Sequence, residues 1–532
     1  MQLIIFIAAL SLPFVWAAPF SNESCSTEVE FTVGQTVETT SGPITGHASS
    51  KFPEVSVYLG IPFGQAPVGE LRFAAPVKFA GTSPINGSAF GNTCPQIPSS
   101  GSTASPTPEA ITFSNVTAVG LELFGTISGG RTTSEDCLSL NIWTKPQLGE
   151  KKKAVMIYIY GGGFSAGSSA TAVYEGSALA EQKDVIIVTF NYRTSILGFP
   201  GNPNGQNNLA FLDQRLAIEW VRDNIANFGG DPIRITLFGQ SAGGASTDYL
   251  AYAYPSDPII TGIIAQSGTV FAFGLPYPPA TIAANWFTVT EAVGCGNAST
   301  DAAELLDCMR IADIDSIMAA VPNTGLYALL SPFGPSVDGK IVFANYTNET
   351  PASIPVLVGS NDYEAGMFRT QLALGGIAFA DSDWDEMNLA SYTCPTGQRA
   401  NASVLANNLT WRYRFHAIFP NINIGSEGGA YHGAELTLLF GTESQLEPST
   451  AEEDAFSEYL KGAWVAFAKD PVAGLSNYDG GWPMYDPAGE TLVRLGFENQ
   501  VGTNLAFPEF YDAGCADASL TALICRIFGQ LC

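Results

Sequence analysis

The chain is predicted to be an α/β protein built on a large, mostly parallel central sheet flanked by helices. Its β-rich runs are near-continuously apolar, which suits strands covered on both faces. They alternate with helix-forming stretches, which implies parallel strands joined by crossovers. The N-terminal part instead shows short strands with turn punctuation, read as an antiparallel extension of the sheet. The buried strands are "AVMIYIY" (154–160), "DVIIVTFNYR" (184–193), "IRITLFG" (233–239), "IIAQSG" (263–268) and "IPVLVGS" (354–360). Between the second and third, Leu212, Leu216, Trp220, Val221 and Ile225 follow helical spacing, and Gly229-Gly230 ends that helix. The extension is "TVETTSGPITGHASSKFPEVSVYLGIPF". Residues 95–135 are rich in Ser, Thr, Pro and Gly, with an apolar patch from Val119 to Phe124, and read as a long surface excursion between Cys94 and Cys137. No internal repeat or inter-domain linker is visible, so residues 18–532 are expected to form one domain with large insertions.

The first residues, "MQLIIFIAALSLPFVWAAPF", read as a secretory signal over 1–17, with Val15-Trp16-Ala17 suiting a cleavage site. The apolar run is too short to span a bilayer, and no later segment is long enough, so no stable membrane insertion is expected. Asn22, Asn86, Asn115, Asn297, Asn345, Asn348, Asn401 and Asn408 each open an Asn-x-Ser/Thr sequon. In an exported chain these are glycosylation candidates on exposed loops, and Asn345 and Asn348 are close enough to compete. About 515 mature residues suffice for a large core. A formal charge of −27 excludes a general nucleic-acid binder and disfavours anionic membranes; its simplest reading is solubility in an acidic medium. Nine cysteines in an exported chain imply disulfides, with one thiol left over or paired between molecules. No Cys-x-x-Cys occurs and no histidine lies near a cysteine at ligand spacing, so neither a metal nor another cofactor is expected.

With 55 glycines in the chain, Gly239-Gln240-Ser241-Ala242-Gly243 alone is weak evidence for a nucleophile. Its context is stronger. The motif follows a buried strand and precedes a run of small residues able to start a helix, the setting of a nucleophile elbow at the carboxyl edge of the sheet. An attacking serine needs donors for the oxyanion. The amide of Ala242 is one. Tyr160-Gly161-Gly162-Gly163-Phe164, directly after "AVMIYI", is a glycine-rich loop able to supply others. The chain has only three histidines. His47 precedes the serine in a turn-rich segment, and His416 lies in the aromatic, strand-like "WRYRFHAIF". His432, between glycines in "GGAYHGAEL", is the expected base. The orienting acid should follow a strand between Ser241 and His432. "IPVLVGSNDYEAGMF" offers both Asp362 and Glu364, which the residues alone do not separate.

These stretches resemble the type-B carboxylesterase/lipase family of the α/β-hydrolase fold, which includes Candida-type fungal lipases, sterol esterases and cholinesterases. "YLGIPFGQAPVGELRF" (58–73) and "SEDCLSLNIW" (134–143) look like family signatures. "YGGGF", "NYRTSILGF", "NLAFLDQRLAIEWV" and "FGQSAGG" match in order and spacing, so the likeness covers nearly the whole mature chain. The resemblance implies Ser241 as nucleophile, His432 as base, Glu364 as acid, and the amides of Gly162, Gly163 and Ala242 as oxyanion donors. It also implies Cys94–Cys137 closing a lid loop, Cys295–Cys308 as a second bridge, and Cys394 pairing with the C-terminal cysteines. Two departures stand out. Gln240 occupies the place of the family's usual Glu, and the stretch from Glu364 to His432 is short.

The expected function is therefore a secreted serine carboxylic ester hydrolase that cleaves uncharged esters through an acyl-enzyme on Ser241. Alternatives within the class are a lipase or sterol esterase with a lid at 94–137, or a feruloyl-type aryl esterase. Choline esters are disfavoured: the 95–136 loop has no Trp or Tyr, and Gln240 removes a carboxylate beside the nucleophile. A non-catalytic binding or adhesion module of the same fold should lack the serine, the histidine or the glycine loop, and this chain keeps all of them.

Overall fold

A computed structural model of the chain describes residues 31–97, 108–128, 131–145, 152–323 and 331–528. The signal segment, Asn22, Cys25 and Cys532 lie outside these residues. Among the described residues there are fourteen strands: β1 (Thr36–Val37), β2 (Ile44–Thr45), β3 (His47–Ala48), β4 (Ser56–Pro62), β5 (Ile85–Asn86), β6 (Ser139–Thr144), β7 (Lys153–Ile159), β8 (Ile186–Phe190), β9 (Gly230–Gln240), β10 (Gly262–Gln266), β11 (Val356–Asn361), β12 (Thr410–Phe415), β13 (Leu492–Leu495) and β14 (Asn504–Ala506).

An 11-stranded sheet runs in the order β14-β13-β12-β11-β10-β9-β7-β8-β6-β4-β3. From β8 through β7 to β13 every pairing is parallel. The edges are antiparallel: β14 on one side, and β6, β4 and β3 on the other. β1, β2 and β5 form a separate small sheet. The parallel strands are buried along most of their length, β7, β8, β10, β11 and β12 throughout; β7, β8 and β10 read in sequence as near-continuous apolar runs, while β12 alternates aromatic residues with the buried Arg412 and Arg414.

The predicted crossover helix spans Leu209–Asn224, buries Leu216, Trp220 and Val221, and passes into a 3₁₀ turn over Ile225–Phe228. Gly229 ends it at φ 87°, a left-handed conformation that favours glycine. After β9 the chain turns at once into the helix Ala242–Ala253, which packs on β9 and β10 and is buried through Tyr252.

Among the described residues of the excursion between Cys94 and Cys137 are two helices, Pro108–Ser114 and Ala118–Ser128. It is docked rather than free. Thr117 donates its amide to Ile424 O (3.0 Å) and its hydroxyl to Asn423 O (2.5 Å), and Val116 bridges to Gly425. Disulfides join Cys94 to Cys137, Cys295 to Cys308 and Cys394 to Cys515.

Asn86, Asn115, Asn297, Asn345, Asn348 and Asn401 are exposed. Asn408 is not, against the expectation that every sequon lies on an exposed loop. Its side chain is buried and its Nδ2 donates to Ala352 O at 2.9 Å. A sugar on that nitrogen would require opening the packing between β12 and the segment before β11. The sequon spelling is blind to this.

Candidate active site

Register places the carboxyl ends of four strands side by side. Ile159 of β7 lies opposite Gly239 of β9, Gln240 lies opposite Gln266 of β10, and Gln266 lies opposite Gly359 of β11. The candidate residues leave the sheet along this one edge, where open α/β sheets offer a crevice.

Ser241 sits on the turn between β9 and its helix at φ 60°, ψ −128°, a strained position for a residue with a Cβ. Glycine is required on both sides by close approach. A Cβ on Gly243 would stand 1.9 Å from Ile159 O, and one on Gly239 would stand 2.5 Å from the Gly243 carbonyl. The Ser241 amide donates to Gln266 O at 2.8 Å, which holds the turn on the neighbouring strand. Ala242 N–H lies in the first helical turn, where an amide has no intrahelical acceptor.

The glycine-rich loop after β7 abuts this turn. A Cβ on Gly161 would fall 2.8 Å from Ser241 Cβ. Gly162 and Gly163 take φ 105° and 61°. These conformations let consecutive amides face one point, as an anion nest does.

His432 follows Tyr431 and precedes Gly433, which lies against Gln240: a Cβ on Gly433 would be 3.6 Å from Gln240 Nε2. The segment of the histidine is thus brought beside the residue before Ser241. His432 Nδ1 is 2.6 Å from Glu364 Oε2, and Glu364 is fully buried. The other oxygen, Oε1, accepts from the Asn361 amide at 2.6 Å. A carboxylate facing Nδ1 holds the ring proton there and leaves Nε2 as the acceptor. The aromatic rings of Tyr392 and Phe368 lie 4.9 and 5.3 Å from the imidazole, and Phe273 stands 5.5 Å from Tyr392.

The structure brings Glu364, not Asp362, to His432. Asp362 accepts from Arg414 Nε at 2.7 Å and lies 3.5 Å from His416 Nδ1. Despite the upward push of burial, His416 and Arg414 hold its carboxyl well below the usual range. His416 is thereby occupied at the end of β12, and His47 lies on β3 at the far edge of the sheet.

Behind the pair lie polar residues that motif reading passed over. Asn361 Nδ2 donates to Tyr431 O (2.6 Å) and to Glu435 Oε2 (2.7 Å). Gln266 Nε2 donates to Glu435 Oε1 (2.9 Å), and Gln266 Oε1 accepts from Trp464 Nε1 (3.2 Å). Asn361, Glu435, Gln266 and Trp464 are fully buried. Burial, reinforced by the charge of Glu364, pushes the Glu435 carboxyl up to about 7 against the pull of Asn361 and His432. The available signal was a polar residue inside a buried run: Gln266 in "IIAQSG", Asn361 in "GSNDYE" and Glu435 in "YHGAEL".

The model of the carboxylesterase family matches residues 33–414. A chlorogenic acid esterase of Aspergillus niger is 37% identical over 453 residues, covering 83% of this chain and 84% of that protein. Secreted lipase 5 of Gibberella zeae is 33% identical over 510 residues, covering 89% and 92%. A cholinesterase of Mus musculus is 28% identical over 522 residues, covering 86% and 82%.

Proposed function

The chain belongs to the carboxylesterase family and is a carboxylic ester hydrolase; from that premise we propose that it works through an acyl-enzyme on Ser241, with His432 as base and Glu364 as the acid that orients it. The observation that carries the assignment is the 2.6 Å contact between His432 Nδ1 and buried Glu364, made beside the strained turn that presents Ser241. In the first step His432 Nε2 takes the proton as Ser241 Oγ attacks the ester carbonyl. The oxyanion is held by the amides of Gly162, Gly163 and Ala242, and Glu364 stabilises the imidazolium. The alcohol leaves with the proton from His432. Water, activated by the same base, then releases the acid. Ser241→Ala is expected to lower kcat by at least about 10⁴-fold with a native unfolding transition; near-normal turnover of any ester by that variant removes the assignment.

The proposed substrates are uncharged esters of aryl-bearing acids, hydroxycinnamate esters among them. The relation to the Aspergillus niger esterase supports this, as does the wall of Tyr392, Phe368 and Phe273 beside His432, which suits a planar ring. Gln240, neutral and buried beside Ser241, offers no charge to a cationic alcohol. A lipase is the second reading, favoured by the likeness to secreted lipase 5 and by the two helices of the Cys94–Cys137 excursion. A chain-length series of aliphatic esters, with and without an oil–water interface, run beside hydroxycinnamate esters, separates the two. A jump in rate at the interface with negligible hydroxycinnamate turnover selects the lipase. Export is part of the same proposal, supported by the exposed sequons, the disulfides and the secreted relative. Among the described residues no helix is long and apolar enough to cross a membrane.

A further inference from the structure

Asn361 commits every hydrogen it can donate to the groups around His432. Its backbone amide goes to Glu364 Oε1, and its side-chain amide goes to the carbonyl of Tyr431, immediately before His432, and to Glu435, three residues after it. The amide can sit only one way round. Reversed, Oδ1 would face the Tyr431 carbonyl and a Glu435 oxygen with no hydrogen between them. The cost is visible: Asn361 Oδ1 is buried without a partner. Gln266 is locked in the same manner, because its Oε1 accepts from Trp464 and its Nε2 is left for Glu435. Through its own carbonyl Gln266 also holds the Ser241 amide.

These bonds form one continuous path. It runs from the Ser241 amide to Gln266, on to Glu435 and Asn361, and from Asn361 to both Glu364 and the peptide preceding His432. Ser241 and His432 come from segments almost two hundred residues apart in sequence, and a nucleophile and base work only within a few tenths of an ångström of the right separation. We infer that Asn361, acting with Glu435 and Gln266, is a positioning residue that sets the His432–Glu364 pair in register with Ser241. The inference rests on the proposed roles of Ser241, His432 and Glu364. Asn361 itself touches no reacting atom in that scheme.

The ionisable groups facing the frame are Glu364, His432 and Glu435, with the phenols of Tyr158, Tyr174, Tyr413 and Tyr431 near Glu435 and that of Tyr392 near Glu364. Burial holds every one of these phenols above its ordinary value, so they stay neutral through the working range.

The test compares the full-length wild type with Asn361→Ala, Asn361→Asp and Glu435→Gln on one soluble aryl ester. Folding is checked by thermal unfolding, and active sites are counted with a fluorophosphonate. Asn361→Ala retains the backbone donor to Glu364 but loses the tie to the histidine segment. Per active site its kcat is expected to fall at least 10-fold, with KM within about 3-fold. Weaker support of the imidazolium shifts the acid limb of the kcat–pH profile to lower pH. Asn361→Asp, equal in shape but with oxygens where hydrogens are needed, is expected to fall at least as far. Glu435→Gln sets an amide nitrogen against Asn361 Nδ2 or Gln266 Nε2 and so removes one anchor; its kcat falls and its acid limb moves the same way. If the variants fold and keep kcat within 3-fold with an unmoved acid limb, Asn361 is only a packing residue and the inference is overturned. Should the Asn361 variants not fold, an unchanged kcat and pH profile in Glu435→Gln overturns it alone. A parallel Ser241→Ala control separates the two readings: if it still turns over, the catalytic assignment has failed; if it is dead while Asn361→Ala is normal, only the positioning role has failed.

Discussion

At the scale of single residues, Ser241, the proposed nucleophile, is presented by a turn that other residues make possible. Gly243 is the sharpest requirement, since any Cβ there would stand 1.9 Å from the Ile159 carbonyl. Gly243→Ala is expected to cost about 3 kcal/mol or more, read as a lower urea midpoint, with activity lost in parallel. Glu435 makes a pH-dependent prediction. Its folded carboxyl lies at about 7 against an ordinary 4.5, so the native state binds that proton more tightly than the unfolded chain does. The resulting contribution to stability is complete below about 4.5 and is lost as pH rises to about 7. Glu435→Gln should therefore gain stability relative to wild type across that window, seen as a difference in melting temperature that grows from pH 4 to pH 7 and then levels. No growth in that difference would mean that Glu435 is ionised throughout. The choice between Asp362 and Glu364 also belongs to this scale. The two are neighbours in sequence with the same chemistry. Arg414 on the adjacent strand captures Asp362, while the turn after β11 swings Glu364 under the histidine.

At the scale of elements, strand and helix assignments were legible because burial on both faces leaves an unbroken apolar run, and one-sided packing leaves a helical stripe. What sequence did not disclose was how the excursion between Cys94 and Cys137 is held. It is pinned through Thr117 to Asn423 and Ile424, on the segment that leads into Tyr431 and His432. The disulfide closes a separation of 43 residues. Loop-closure entropy assigns such a bridge about 4 kcal/mol in the chain-entropy model. Removing it with Cys94→Ser and Cys137→Ser together should lower stability by up to that amount, measured by denaturant unfolding. Thr117→Val removes the hydroxyl anchor and leaves the bridge in place. A small loss of stability, about 1 kcal/mol, is expected from it. If the docked excursion shapes the substrate site, KM for a bulky aryl ester should rise in this variant while that for a small ester holds.

At the scale of the whole molecule, surface and interior divide cleanly in their readability. The charge of −27 and the sequons at Asn86, Asn115, Asn297, Asn345, Asn348 and Asn401 describe a surface, and the structure leaves these asparagines exposed. Glycopeptide mapping of the protein produced through a secretory host is expected to find sugars among these and none on Asn408; occupancy at Asn408 would contradict the buried Nδ2 bond to Ala352. By itself the sequence determined the α/β class, the order of the strands in the chain, the glycine-flanked turn at Ser241 and the short set of groups from which the proposed acid and base are drawn. Each of these is written in local patterns: periodicity, a glycine on either side of a serine, and three histidines in the whole chain. Only the tertiary structure decided that Glu364 meets His432, that Asp362 is spent on Arg414, that Asn408 is inside, and that Asn361, Glu435 and Gln266 link the His432 segment to the Ser241 turn. The reason is physical. These outcomes depend on which strand lies beside which and in what register, so that a buried polar group finds its partner on a segment far away in sequence, and no local pattern encodes the address of that partner.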